Sequence, residues 1–130
     1  MPTSYGAPAT ATITLDGLGI GEEAISSAID NSTTKFDKLY VMLKIYTGVV
    51  RTQGYLTIGL IYSLDNSTFA DKHPSSQEIQ IYPPSSLQKI WGFTIENIPQ
   101  YFKFSVINRT GAALTATTGD NTLNYNGSVN

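Results

Sequence analysis

Apolar and polar residues alternate with a period of two along most of this chain. In residues 38–47, Leu39, Val41, Leu43 and Ile45 alternate with Tyr40, Met42, Lys44 and Tyr46. In residues 55–64, Leu56, Ile58, Leu60 and Tyr62 alternate with Thr57, Gly59, Ile61 and Ser63. Successive side chains of a strand point to opposite faces, so each run predicts a strand with one face on a core. The short polar link between them, residues 48–54, suggests that the two runs pair antiparallel.

Weaker copies of the pattern occur on both sides. Residues 9–15 place Ala9, Ala11, Ile13 and Leu15 on one face against three threonines, and the glycine-rich residues 16–21 follow as a loop. Residues 22–30 carry both a helical spacing (Ala24, Ile25, Ala28, Ile29) and a strand spacing (Glu23, Ile25, Ser27, Ile29). The strand is the better reading, because Gly21 and the Asn31-Ser32-Thr33-Thr34 turn leave little length for a helix. Residues 77–82 predict a short strand ended by Pro83-Pro84. Residues 88–95 predict a strand with Trp91, Phe93 and Ile95 on one side, and residues 101–108 one with Phe102, Phe104 and Val106 inward. Residues 112–118 predict a last strand. Residues 1–8 read as an extended arm and residues 119–130, rich in glycine and asparagine, as a tail. About eight strands separated by regular turn signals predict an all-β fold, an antiparallel β-sandwich of jelly-roll type with extended ends and one domain over residues 9–118.

Composition agrees with strands and polar turns. Charged residues make up 14% of the 130 residues, against about 25% in an ordinary soluble domain. The net charge is −2, and all eight Lys and Arg lie between Lys35 and Arg109. No basic arm is present to neutralise phosphates, so nucleic acid is not an expected partner. No apolar run reaches the ~20 residues of a membrane-spanning helix. With no cysteine, disulfides and thiolate chemistry are excluded. The residues after Met1 lack the charged and apolar regions of a signal peptide, so synthesis in a host cytoplasm is expected.

Candidate catalytic chemistry is sparse. His73, the single histidine, sits in the polar stretch Asp71-Lys72-His73-Pro74 with no cysteine or G-x-S-x-G serine to partner it, and reads as a loop residue rather than a general base. A glycosidase needs two carboxylates converging on one sugar ring; Glu22 and Glu23, adjacent in a strand, point to opposite faces. Asp65-Asn66-Ser67 lacks the D-x-[DN]-x-[DN]-G pattern of a calcium loop and reads as a turn. Sequons at Asn31, Asn66, Asn108 and Asn126 mark further turns. No catalytic residue, metal or cofactor is expected, and the protein is read as a non-enzyme.

Aromatic residues carry more information. Trp91, in phase with Phe93 and Ile95, reads as core. Tyr40 and Tyr46 lie on the face opposite the apolar row of their strand, and Tyr5 and Tyr125 fall in the two presumed arms. Exposed tyrosine offers rigid apolar area with a polar tip, suited to an interface or a sugar platform. Pro2, Tyr5, Tyr40, Tyr46 and Tyr125 are therefore the candidate interaction residues.

Two stretches, Ser26-Ser27-Ala28-Ile29-Asp30-Asn31 and Gly59-Leu60-Ile61-Tyr62-Ser63-Leu64-Asp65-Asn66, resemble a loose family of small β-sandwich proteins encoded among the structural genes of tailed phages. Members show a Ser-Ala-Ile-Asp-like strand end, a central strand and a Tyr-x-Ser-x-Asp-Gly turn. Here Asn66 stands where glycine is usual, and asparagine also tolerates the left-handed conformation. The resemblance runs over residues 9–69. It implies a virion component: a capsid decoration or cement protein that stabilises the head shell, with the major capsid protein or another virion protein as partner and a homo-oligomer, a trimer, as its state. A neck, tail or fibre component and a carbohydrate-binding β-sandwich are the alternatives.

Overall fold

A computed structural model describes residues 4–47, 54–72, 77–80 and 88–129. These residues form eleven strand segments: β1 (Ser4–Tyr5), β2 (Ala9–Thr10), β3 (Glu23–Ile25), β4 (Ile29–Asp30), β5 (Lys38–Tyr46), β6 (Tyr55–Ser63), β7 (Phe69–Lys72), β8 (Gln77–Gln80), β9 (Gln88–Glu96), β10 (Tyr101–Arg109) and β11 (Thr122–Val129). Three pairs of segments each share one strand position. Both β1 and β2 run along β11, both β3 and β4 along β10, and both β7 and β8 along β6. The eleven segments thus fill eight strand positions.

One sheet, sheet A, has the order β1/β2, β11, β5, β9; the other, sheet B, has the order β3/β4, β10, β6, β7/β8. Numbered by position along the chain, these orders are 1-8-3-6 and 2-7-4-5, with all pairings antiparallel. This is the strand order of a jelly roll, as the alternation predicts. The short segment of residues 22–30 is strand, β3 and β4, and not helix. At its break Ser26 substitutes for the missing ladder bond: the Phe104 amide donates to Ser26 Oγ at 2.8 Å, while the Ser26 amide donates to the Phe104 carbonyl at 2.9 Å.

The core lies between the sheets. Leu39, Val41, Leu43, Ile45 and Leu123 of sheet A face Leu56, Ile58, Leu60, Phe102, Phe104 and Val106 of sheet B, and all are buried. Each such side chain contributes roughly 1.5–3 kcal/mol through burial. Phe104 meets Phe102 edge to face and Tyr125 at a tilt, both at 5.5 Å between ring centres. Trp91, Phe93 and Ile95 are partly buried against this cluster, on the face that their spacing assigned.

Several expectations are corrected. The runs of β5 and β6 are not hydrogen-bonded neighbours. They belong to opposite sheets and face each other across the core, β5 between β11 and β9, β6 between β10 and β7/β8. Alternation fixes which face is buried, but two strands with apolar faces satisfy it equally by stacking. Residues 112–118 make only one bridge, Leu114 with Thr47. Their other anchors are single bonds: the Leu114 amide to the Leu18 carbonyl, the Thr115 amide to the Tyr46 carbonyl of β5, and the Ala112 carbonyl accepting from Asn108 Nδ2 of β10. Residues 9–15 leave β11 after the Ala11 amide has donated to the Leu123 carbonyl, and the Thr12 carbonyl then accepts from the Ser27 amide. Two of the four sequon asparagines are in strands rather than turns. Asn108 of β10 is wholly buried, its Nδ2 bonded to the Leu18 and Ala112 carbonyls and its Oδ1 to the Thr110 amide and hydroxyl. Asn126 lies in β11.

The largest correction concerns the C-terminal tail. Residues 122–129 form β11, hydrogen-bonded to β5 on one side and to β1 and β2 on the other. Leu123 and Tyr125 point inward. Gly127 also faces inward, where the Phe36 ring occupies the space of the missing side chain; a Cβ there would come within 2.2–2.5 Å of it. Two groups set the start of the strand. Asp16 accepts from the Gly119 amide (3.0 Å), the Asn121 amide (2.9 Å) and Asn121 Nδ2 (3.0 Å), while Asn121 Oδ1 accepts from the Tyr46 amide at 2.7 Å.

Two outcomes follow. A chain lacking residues 119–130 is expected to lose cooperative thermal unfolding, followed by circular dichroism; a truncated chain that melts like the full one contradicts a central β11. Burial alone would raise the Asp16 pKa, but bonds from Asn121 and Gly119 together with the charge of Lys44 outweigh it and hold the carboxyl below its usual 3.8. Its stabilising effect is present above the usual carboxylate range and is lost as pH falls through the lowered value. Asp16→Asn should therefore be less stable than the parent at pH 7, with the difference shrinking below pH 4; urea midpoints that differ equally at pH 7 and pH 3 would contradict this.

Candidate binding groove on the outer face of sheet A

The face of sheet A turned away from the core carries Tyr40, Met42, Lys44 and Tyr46 from β5, Ile90, Gly92, Thr94 and Glu96 from β9, and Thr122, Asn124 and Asn126 from β11. Register sets them in rows across the three strands. Asn126, Tyr40 and Thr94 form one row, and Asn124, Met42 and Gly92 the next. A groove of about 460 Å³ lies over these two rows, with Pro8 of the N-terminal segment at its side. This volume is within the usual range for small-ligand sites, about 300–1,000 Å³.

The side chains are apolar, amide and hydroxyl, and none of the lining residues is charged. Met42 is 55% exposed at the centre. Thr10 Oγ1 donates to Asn124 Oδ1 at 2.8 Å, which fixes that amide and leaves its Nδ2 to donate elsewhere. Asn126 Oδ1 is buried with no hydrogen-bond partner among the described residues. Charges flank the groove at both ends: Lys38, paired with Glu96 at 3.3 Å, lies 6.0 Å from the centre of the Tyr40 ring, and Lys44 stands in the row beyond Met42.

Gly92 stands in the middle of a nine-residue strand. Its backbone is ordinary extended strand, and a Cβ built on it would meet nothing closer than the Val41 carbonyl oxygen at 4.0 Å. Packing does not require glycine here, and its effect is to leave the groove floor open. A strand-interior glycine weakens the strand and often marks a close approach by a ligand or another backbone.

Among the candidate interaction residues, the fold brings two together. Tyr5 of β1 is 64% exposed and stacks at a tilt on Tyr40, ring centres 5.8 Å apart. Tyr46 shares the face of Tyr40 but lies six residues along the strand, about 20 Å at ~3.3 Å per residue, outside the groove. Tyr125 is not an exposed arm residue. It packs against Phe104 on the core side, and this burial raises its pKa. Pro2 and His73 lie outside the described residues. The carboxylate candidates serve local structure: Glu22 Oε1 accepts from the Gly19 amide, Glu23 Oε2 from the Ser105 hydroxyl, and Asp65 Oδ1 from the Ser67 and Thr68 amides of its turn. Met42, Gly92, Thr94 and Asn124 were not singled out by sequence, and Asn126 stood out only as a sequon. A glycine inside an alternating run was the available signal for Gly92.

No family model and no curated protein matches the chain. Solved structures share its fold. The PBSX exported protein XepA matches with a TM-score of 0.53 at 13% identity, over 95% of this chain and 37% of that one. The Arthrobacter globiformis T6 isomalto-dextranase complexed with panose matches with a TM-score of 0.53 at 12% identity, over 95% of this chain and 23% of that one. A non-crystalline cellulose specific carbohydrate-binding module, CBM28, matches with a TM-score of 0.47 at 8% identity, over 81% of this chain and 61% of that one. The chain spans less than two thirds of each of these three proteins, and at identities this low the two matches with TM-scores of 0.53 show a likeness of fold alone.

If Gly92 is retained for the groove and not for the fold, Gly92→Ala should leave stability unchanged or raise it by up to ~1 kcal/mol, the usual gain over glycine in a strand interior. A loss of more than ~1 kcal/mol in urea unfolding would show a packing role.

Proposed function

We propose that this protein is a structural component of a phage particle that works by binding, with the outer face of sheet A as its attachment surface. The observation that carries this reading is the uncharged groove flanked by exposed Tyr5, Met42 and Ile90, the last 52% exposed. Depletion of charge and enrichment in tyrosine and methionine characterise the centres of protein interfaces. The phage setting is supported by the resemblance of the Ser26–Asn31 and Gly59–Asn66 stretches and, more mildly, by the fold shared with a PBSX exported protein.

The finer form of the reading is a decoration protein seated on the head shell, with the major capsid protein as partner and a closed homo-oligomer, a trimer, as the attached unit. It does not rest on a free C-terminal arm, since those residues are β11. At the N-terminus, residues 4–10 are added to the edge of β11, so this segment both completes sheet A and supplies Pro8 to the groove side.

Co-sedimentation with phage particles assembled without the protein tests this. Wild type should attach, and Met42→Glu, which places an unpaired charge at the centre of the face, should weaken attachment at least about tenfold, or ~1.4 kcal/mol. Thr57→Glu on the outer face of sheet B should attach normally. Equal attachment by Met42→Glu and wild type would overturn the reading.

A further inference from the structure

We infer that the groove over Tyr40, Met42 and Gly92 is a subsite for a neutral, hydroxyl-rich ligand, a short stretch of uncharged glycan. The inference rests on the reading of the outer face of sheet A as the working surface, and assigns its central groove a glycan in addition to the protein contact proposed for the face as a whole.

Four observations converge. The groove has an aromatic ring, Tyr40, held in place by Tyr5, and a sugar ring presents an apolar C–H face that stacks on such a platform while its hydroxyls remain free. Its polar groups are amides and a hydroxyl: Asn124, Asn126 and Thr94. Amides offer one donor and one acceptor side, which is what a neutral hydroxyl both supplies and requires. No lining residue is charged, Lys38 at one end is already paired with Glu96, and Lys44 lies a row away, so a charged ligand seated over the two rows would lose hydration without a counter-charge in the lining. Finally, Asn126 makes no side-chain hydrogen bond among the described residues, and its Oδ1 is closed off from solvent. An amide oxygen left unpaired in the interior is unfavourable, and a ligand hydroxyl reaches it only when the Asn126 side chain turns toward the groove.

A peptide fits the same groove less well. The groove runs across the faces of β11, β5 and β9; β11 and β5 are paired on both sides, and β9, paired with β5 alone, ends the sheet. A peptide lying over these faces would leave its own amides unpaired, and one that instead extended the free edge of β9 would sit beside the groove and not over Tyr40 and Asn126. Gly92 completes the argument. Neither packing nor backbone conformation demands glycine, and the space above it is where a ring lying beside Met42 would rest.

The test is titration of the full chain with maltohexaose, isomaltohexaose, cellohexaose, xylohexaose and, as a charged control, hexagalacturonate, read by two-dimensional NMR and calorimetry. At least one neutral oligosaccharide should shift the signals of Tyr40, Met42, Gly92 and Asn126, and hexagalacturonate should not. Gly92→Leu, which fills the floor, should weaken that binding at least tenfold with an unchanged melting temperature, and Asn126→Ala should weaken it with the fold retained. Absence of shifts with all four neutral sugars, or undiminished binding by Gly92→Leu, overturns the inference. The same Gly92→Leu protein in the particle assay separates the two readings. If it fails to attach while no sugar binds, the attachment face stands and the glycan does not. If sugar binding is lost but attachment is normal, the glycan subsite stands and the particle-attachment reading falls.

Discussion

Placement of β11 between β5 and the N-terminal segment is the constraint on which the rest of the molecule depends. Without it, β1 and β2 would have no partner, Leu43 and Val41 would lose their cross-strand neighbours Leu123 and Tyr125, and sheet A would shrink to β5 and β9. The strand is weak by intrinsic preference, since asparagine and glycine are depleted in sheets. It is held by tertiary devices instead: the Asp16 carboxylate and the Asn121 amide at its start, Leu123 in the core, and the Phe36 ring over Gly127 near its end. The same strand presents Asn124 and Asn126 to the outside, so stability and candidate function are set by opposite faces of one element.

How legible this was in sequence depended on which residues fill the inward positions. In β5, β6, β9 and β10 those positions hold branched aliphatic and aromatic side chains, and the period of two identified both the strands and their buried faces. In β11 the inward series is Leu123, Tyr125, Gly127 and Val129, with polar residues between. The period is present, but Gly127 breaks its apolar half and the asparagines resemble turn signals. Only the three-dimensional neighbour, Phe36, explains why glycine suits the position. Neighbour identity was also illegible. A short link between two amphipathic strands suits a hairpin and a crossing between sheets alike, and the jelly roll uses the crossing for β5 and β6.

The candidate site shows the same division. Tyr40 was legible as an outward residue because its strand was. Tyr125 was misplaced because its strand was not recognised, and recognising it would have turned that tyrosine inward and its asparagine neighbours outward. The groove itself is made by register among β11, β5 and β9, segments distant in sequence, and no local pattern brings Asn126, Tyr40 and Thr94 into one row. The proposed binding surface therefore moves from the chain ends to a sheet face. The N-terminal segment still contributes, through Tyr5 against Tyr40 and Pro8 beside the groove, but as part of the sheet.

That the outer face of sheet A is the working surface is tested most directly at Met42, which lies at the centre of the groove and is 55% exposed. Its rate of oxidation by dilute peroxide, followed by mass spectrometry, should fall severalfold when the protein is attached to particles, relative to the free protein. An unchanged rate in the attached state would mean that the face remains open to solvent and that attachment uses another surface.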